Sequence, residues 1–269
     1  MLINIDFDFQ AEVNGRRQGD ACPRIMQSDS GKLNWAKEKD SDRHSSTLQE
    51  YHRILWSKPL PNGEMFELKK ADQNRLHHSS HLGKFILSSD RATTMTFARP
   101  KGLIDVVSHL PERRLDVFAR LSDSIGGTIV WPARQIDRLP TINQARGMSK
   151  LIADRLDLTV ECVRRYYSNE DSPLYKTFIR YAAFFDLFSD FKGWADFFLL
   201  QDMVNNDYSR VLVAQPFSGF GVSPVPSSVE EYISYMEHTS DLVRKRNERI
   251  NKWQALNKAK VLTMLDKTA

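Results

Sequence analysis

The segment LHHSSHLG, residues 76–83, places three histidines within five residues of a chain that holds seven. Imidazoles at that density suit two kinds of chemistry, metal ligation and proton transfer near neutral pH. On a helix His77 and His81, or His78 and His81, share a face; on a strand His77, Ser79 and His81 share a side. Either geometry offers a metal two ligands, whereas zinc requires a third or fourth. No HExxH, cysteine pair or His-x-Asp pattern stands beside the cluster, so no metal-ligand set is assigned. The plainer reading is a polar loop leading into a strand. In the acid–base reading His78 and His81 join His52 and Asp90 as the candidate catalytic set.

His52 falls within TLQEYHRILW, one residue from Tyr51 and beside an apolar stripe. An imidazole held there is a candidate general acid or base, or a structural group bonded to a neighbouring carbonyl. Ser88, Ser89 and Asp90 close an expected strand, and hydroxyls and a carboxylate at a strand end suit both ligand contact and an ordinary turn. In TINQARG, residues 141–147, Thr141 reads as an N-cap, with Asn143, Gln144 and Arg146 in the first turns. The free N–H groups of such a helix start, with Arg146 as a clamp, make a candidate anion site; the alternative is a first turn facing water. Lys58 and Asn62 complete the candidate ligand-binding set. There is no GxSxG elbow, GxxxxGK[ST] loop or GxGxxG fingerprint, and no cofactor is indicated.

These residues need elements to hold them. LINIDFDF, residues 2–9, alternates with period two and predicts a strand. The next thirty or so residues are polar, lack periodicity and read as an irregular arm. Ser45 or Ser46 caps a helix through TLQEYHRILWS, with Leu48, Tyr51, Leu55 and Trp56 as its stripe. Pro59 and Pro61 end it, and Pro61-Asn62-Gly63 is a turn. EMFEL (64–68), KFILSS (84–89), TTMTF (93–97) and TIVW (128–131) predict strands, and a helix starts at Leu110-Pro111 and stops at Gly126-Gly127. Beyond Pro140 the pattern is helical: 141–155, 158–168, 173–188, 190–204 and 227–258, with RVLVAQPF (210–217) a strand or extended connector. Ser227 and Glu230 stand in capping-box spacing before the last helix. The aromatic run from Tyr181 to Phe198 has helical spacing and reads as core, as does Cys162.

That order of elements predicts an α+β fold, a small mixed or antiparallel sheet in the N-terminal half packed against a mainly helical C-terminal half. One domain over 1–269 is expected: strand and arm to 44, strands and helices over 45–140, helices over 141–269. Two distant cysteines, Cys22 and Cys162, and an acidic first segment predict a cytoplasmic protein without a signal peptide. Charges interrupt the most apolar region, Leu174 to Val204, so no membrane span is expected. Net charge is +4; residues 91–150 hold ten Lys/Arg against five Asp/Glu, and 244–260 hold seven basic residues against Glu248 alone. Such segments suit a polyanionic partner or simply form solvated faces. Ile233, Met236, Val243 and Ile250 fall near heptad spacing, so helix 227–258 is a candidate surface for a protein partner or a second copy.

HSSTLQEYHRILWSKPLPNG, HLGKFILSSD and TINQARG, followed by IADRLDLTVECVRRYY, DSPL and FKGWADFFLLQD, resemble a bacterial family known only as a domain of unknown function. The resemblance covers residues from about 40 to 205. It implies a bacterial or phage origin and brings no activity and no catalytic residues. The residues themselves point to an intracellular protein that binds an anionic ligand, nucleic acid or nucleotide, with catalysis on that ligand left open. The alternative is a non-catalytic interaction protein, such as a component of a phage-defence or toxin system.

Overall fold

In the computed structural model Ser45 starts the helix its position predicts: its Oγ accepts the N–H of Leu48 at 2.9 Å, and α3 (Ser46–Trp56) follows. Leu48, Tyr51, Leu55 and Trp56 are all buried along it. The structure describes residues 2–20, 25–27, 33–35, 39–70, 75–91 and 101–266. The expected strand TTMTF lies outside them.

The main sheet is antiparallel in the order β5-β6-β7-β8, built from β5 (Lys69–Lys70), β6 (Leu76–Ser80), β7 (Gly83–Arg91) and β8 (Thr128–Pro132). The histidine segment is therefore a strand rather than a loop. His78 explains the difference, because its ring is stacked 4.1 Å from Phe66 and packs as an aromatic residue would. The last rung between β6 and β7 is Leu76–Leu87, so Ser88 to Arg91 run on with β8 alone, paired as Ser88–Trp131, Ser89–Val130 and Asp90–Ile129. Two small hairpins accompany this sheet, β1 (Ile25–Gln27) with β2 (Leu33–Trp35) and β3 (Lys58–Pro59) with β4 (Met65–Phe66).

The alternating LINIDFDF segment is not a strand. Its backbone is held by side chains: Ile3 N–H donates to Gln254 Oε1 at 2.7 Å and Asn4 N–H to the Tyr51 hydroxyl at 3.0 Å. Asp8 then caps a short helix, α1 (Phe9–Val13), by accepting from Ala11. The period-two pattern still has a cause, since Ile3 and Phe9 are buried and Ile5 and Phe7 pack against the same core.

Helices α4 (Lys101–Val107) and α5 (Glu112–Ser122) lie on either side of Pro111, and the second half is helical but more broken than its periodicity suggests. It holds α6 (Ile142–Met148), α7 (Leu156–Tyr167), α8 (Tyr175–Arg180), α9 (Ala182–Phe185), α10 (Phe191–Phe197) and α11 (Val229–Asp266). The expected helix at 173–188 breaks at Tyr181, between α8 and α9, and that at 190–204 ends before Leu199, which has φ of 55°; between the two Ser189 has φ of 67°, and these left-handed values are carried by neither Gly nor Asn. RVLVAQPF is a connector that carries a β-bridge, Val204–Val211, and is tied to α7 where Ala214 bonds Arg155 and Asp157. The cap of α11 sits one residue later than expected: Ser228 Oγ accepts from Glu231, whose carboxylate takes the Ser227 N–H.

The architecture is thus α+β, with small antiparallel sheets first and long helices after. The aromatic run is core, with Phe184, Phe185, Phe188, Trp194 and Phe198 fully buried. Met236, Val243 and Ile250 of α11 are buried against their own chain, so the heptad-like stripe is already covered. Among the described residues no helix is long and apolar enough to cross a membrane.

Candidate functional site

Among the described residues β7 has no strand neighbour on that side where it outruns β6, and side chains take the place of one. Ser89 N–H donates to Asp42 Oδ1 at 2.7 Å, and Ser89 C=O accepts from Asn143 Nδ2 at 3.3 Å. The same amide nitrogen reaches Ser88 Oγ at 3.3 Å, and His52 Nε2 lies 3.0 Å from Ser89 Oγ. Arg146 pairs with Asp90. His52, Ser88, Ser89, Asp90, Asn143 and Arg146, drawn from both halves of the sequence, meet at one end of β7.

Their bonding limits what they can do. The Trp56 indole N–H, which can only donate, points at His52 Nδ1 at 3.0 Å. Nδ1 is therefore an acceptor, the ring proton sits on Nε2, and His52 donates to Ser89 Oγ. Burial, with Arg246 adding, lowers the imidazole to about 3. Without a lone pair facing the hydroxyl, His52 positions Ser89 rather than deprotonating it, which corrects the acid–base reading.

Arg146 is wholly buried. Besides Asp90 it donates to Thr159 Oγ1 at 2.8 Å and to the carbonyls of Arg91 and Asp154 at 3.3 and 3.2 Å. Each guanidinium nitrogen has a protein partner, so Arg146 locks α6 to β7 and is no open clamp for an anion. Burial pushes the Asp90 carboxyl up against the pull of Arg146. Thr141 caps α6 as its position predicts and forms a capping box with Gln144, which occupies the start of α6 and the Gln144 side chain.

Asp42, on α2 (Ser41–His44), was hidden in what reads as an irregular arm. The only signal was Asp40, two residues before it, whose carboxylate accepts the Asp42 N–H at 3.1 Å. Burial, with Asp40 and Asp90 adding, raises Asp42 to about 7 despite the Ser89 N–H and Arg75. With these carboxylates present, the end of β7 is not the positively polarised hollow that an anion would need.

The histidines of the opening segment diverge. His78 is buried, its Nδ1 donating to the Glu67 carbonyl at 3.2 Å, and burial lowers its pKa. His81 is exposed at the hairpin turn, 3.3 Å from Glu64. Among the described residues no group of three His, Cys, Asp or Glu is placed to hold a metal ion.

A different member of the candidate set meets open space. Lys58 follows α3 directly, and its Nζ lies 5.0, 4.7 and 5.7 Å from the ring centres of Trp56, Phe197 and Trp253. It lines a cleft of about 420 Å³ with Pro61, Asp190, Lys192, Gly193 and Asp196. Asp196 is taken by Lys192 and the Tyr208 hydroxyl, and Asp190 Oδ1 by the N–H of Gly193 at 2.7 Å. Lys58 has no hydrogen bond or ion pair among the described residues. Asp196 and the ring faces favour its ammonium; burial and Arg246 oppose it, and the amine is lowered to about 7.

Gly193 permits this wall. A Cβ there would lie 2.2 Å from the Phe188 carbonyl oxygen and 2.9 Å from Pro61 Cγ, closer than atoms pack. Asn62 stands at the exposed turn beside Pro61, its Oδ1 accepting the Glu64 N–H at 3.0 Å.

A family profile described as a family of unknown function, DUF6994, matches residues 3–250. No curated protein and no solved structure matches the chain.

Proposed function

Because the chain belongs to this family of unknown function, its role has to be argued from its own side chains, and we propose that it binds a small anionic ligand through Lys58. The observation that carries this reading is the Lys58 amine, set between three aromatic rings at an open cleft and making no direct ion pair among the described residues. A buried or half-buried cation without a partner costs free energy that a bound anion recovers. A cleft of about 420 Å³ has the size of a small-molecule site.

The charge around the cleft narrows the ligand. Lys58 and Lys192 are balanced by Asp190 and Asp196, which suits one carboxylate or phosphate group and disfavours a polyanion. Part of the basic segments that suggested nucleic acid is spent within the fold. Lys245 pairs with Asp241, Arg249 with Asp202, Arg91 with Asp123, Arg114 with Glu237 and Arg120 with Asp116, while Arg246 is buried. A nucleoside monophosphate or a smaller acid is therefore favoured over DNA or RNA. The cytoplasmic location expected from sparse cysteines belongs to the same reading.

Titration of the full chain with inorganic phosphate, acetate and a nucleoside monophosphate tests it, read by the fluorescence of Trp56 and Trp253. A saturable change is expected in the wild type and in Lys150→Met, and its loss in Lys58→Met. An identical response in Lys58→Met removes the proposal.

A further inference from the structure

The surroundings of Lys58 suit more than charge pairing. An amine becomes a nucleophile when its neutral form is populated, and a desolvated pocket or a nearby cation brings that about. Both conditions are met. Trp56 and Phe197 are buried beneath the Lys58 side chain, and Trp253 adds a third ring face. Arg246 stands 5.6 Å from the centre of the same Trp56 ring, and its hydrogen bonds all go to carbonyls, those of Phe198, Gly126 and Thr128. Among the described residues no carboxylate pairs with Arg246, and its charge adds to burial in disfavouring the Lys58 ammonium.

We infer that Lys58 is a nucleophilic amine that condenses with the carbonyl group of a small oxo acid in this cleft. The inference rests on the anion-binding reading and deepens it by naming the ligand class. An oxo acid carries its anionic group next to its carbonyl carbon, so the amine attracts the first while protonated and attacks the second once it has given up its proton. The nitrogen lone pair forms the C–N bond while the carbonyl π pair moves onto oxygen; the nitrogen then gives up its two protons, one in each half of the reaction, and the oxygen takes up two. Loss of that oxygen as water leaves C=N. Amine and carbonyl become imine and water, and no oxidation state changes. Asp190, which lines the same cleft, supplies a carboxyl group for the proton transfers.

The amine's value near 7 fits this chemistry, because about half of it is then neutral at physiological pH. Lys84 and Lys150, by contrast, stand exposed.

The test uses the full folded chain with glyoxylate and cyanoborohydride near pH 7, the hydride trapping any imine as a stable secondary amine. Peptide mapping then locates the adducts. Labelling of Lys58 is expected at least about tenfold faster than of the exposed lysines, levelling off by about pH 8–9 while theirs keeps rising. Excess inorganic phosphate is expected to slow the Lys58 adduct alone. Labelling spread evenly over the exposed lysines, or absent from Lys58, overturns the inference. Phosphate binding without a Lys58 adduct sinks the imine chemistry and leaves the binding reading standing; a Lys58 adduct that phosphate does not slow, with no phosphate binding, does the reverse.

Discussion

The indole N–H of Trp56 donates to Nδ1 of His52 across 3.0 Å, one helical turn apart on α3. That bond leaves the ring proton on Nε2, and with the imidazole lowered to about 3 the ring stays neutral throughout the physiological range. Nitrogen NMR is expected to show His52 as the Nε2–H tautomer with no titration between about pH 5 and 8. A titrating ring would contradict the arrangement.

The same shift has a stability consequence. Unfolded, the ring takes up a proton near 6.5, whereas folded it does so only near 3. Its contribution is therefore complete above the unfolded value and lost as pH falls through that interval. His52→Gln keeps a hydrogen-bonding side chain without the charge. Urea unfolding of the variant is expected to fall less steeply than wild type between about pH 6.5 and 4.

Asp42 acts in the opposite sense. Its carboxyl rises from an ordinary value of 3.8 to about 7, so the folded state holds the extra proton and loses that advantage as pH climbs through about 7. Asp42→Asn keeps an oxygen for the Ser89 N–H and cannot ionise. The variant is expected to be about 1–2 kcal/mol more stable than wild type at pH 8, with no gain at pH 4, by denaturant melts.

Arg146 and Asp90 form a buried pair that neither partner can leave without cost. Arg146→Met strands the Asp90 carboxyl and removes the bonds to Thr159 and two carbonyls. A loss of about 3–5 kcal/mol is expected. Arg146→Lys restores the charge but not the planar fork and is expected to recover only part of it. A variant as stable as wild type would argue that Arg146 is not the lock.

Lys58 behaves as a functional residue rather than a structural one if its removal leaves the fold intact. The melting temperature of Lys58→Met is expected to match or exceed wild type near neutral pH. The amine falls from its usual 10.5 to about 7, so wild-type stability rises as pH climbs across that window, where the unfolded chain binds the extra proton. The Met variant is expected to lose this rise.

Much of this arrangement is legible in residue types. A cap at Ser45, a stripe from Leu48 to Trp56 and a cap at Thr141 are local properties, and they form as their positions predict. The end of β7 also gathers the groups that looked chemical. What residue types cannot convey is which group each one bonds. Arg146 reads the same whether it faces an anion or Asp90, and His52 whether Trp56 or a substrate meets its Nδ1. Alternation over LINIDFDF misled because period two records facing, not pairing, and side chains from Tyr51 and Gln254 satisfy that backbone. The breaks at Tyr181 and Leu199 carry no glycine or proline to announce them. His78 counts as polar by type and packs as an aromatic.

Arg246 ties three distant stretches together by gripping the carbonyls of Phe198, Gly126 and Thr128 from the middle of α11. Those oxygens lie indoors and have to wait for it. As a ribosome lengthens the chain, the sheet and aromatic core are made first, yet the centre stays unsealed until the last helix clears the exit tunnel. Nascent copies stalled before residue 246 would therefore present sticky, half-finished interiors, and holding chaperones would be their natural company.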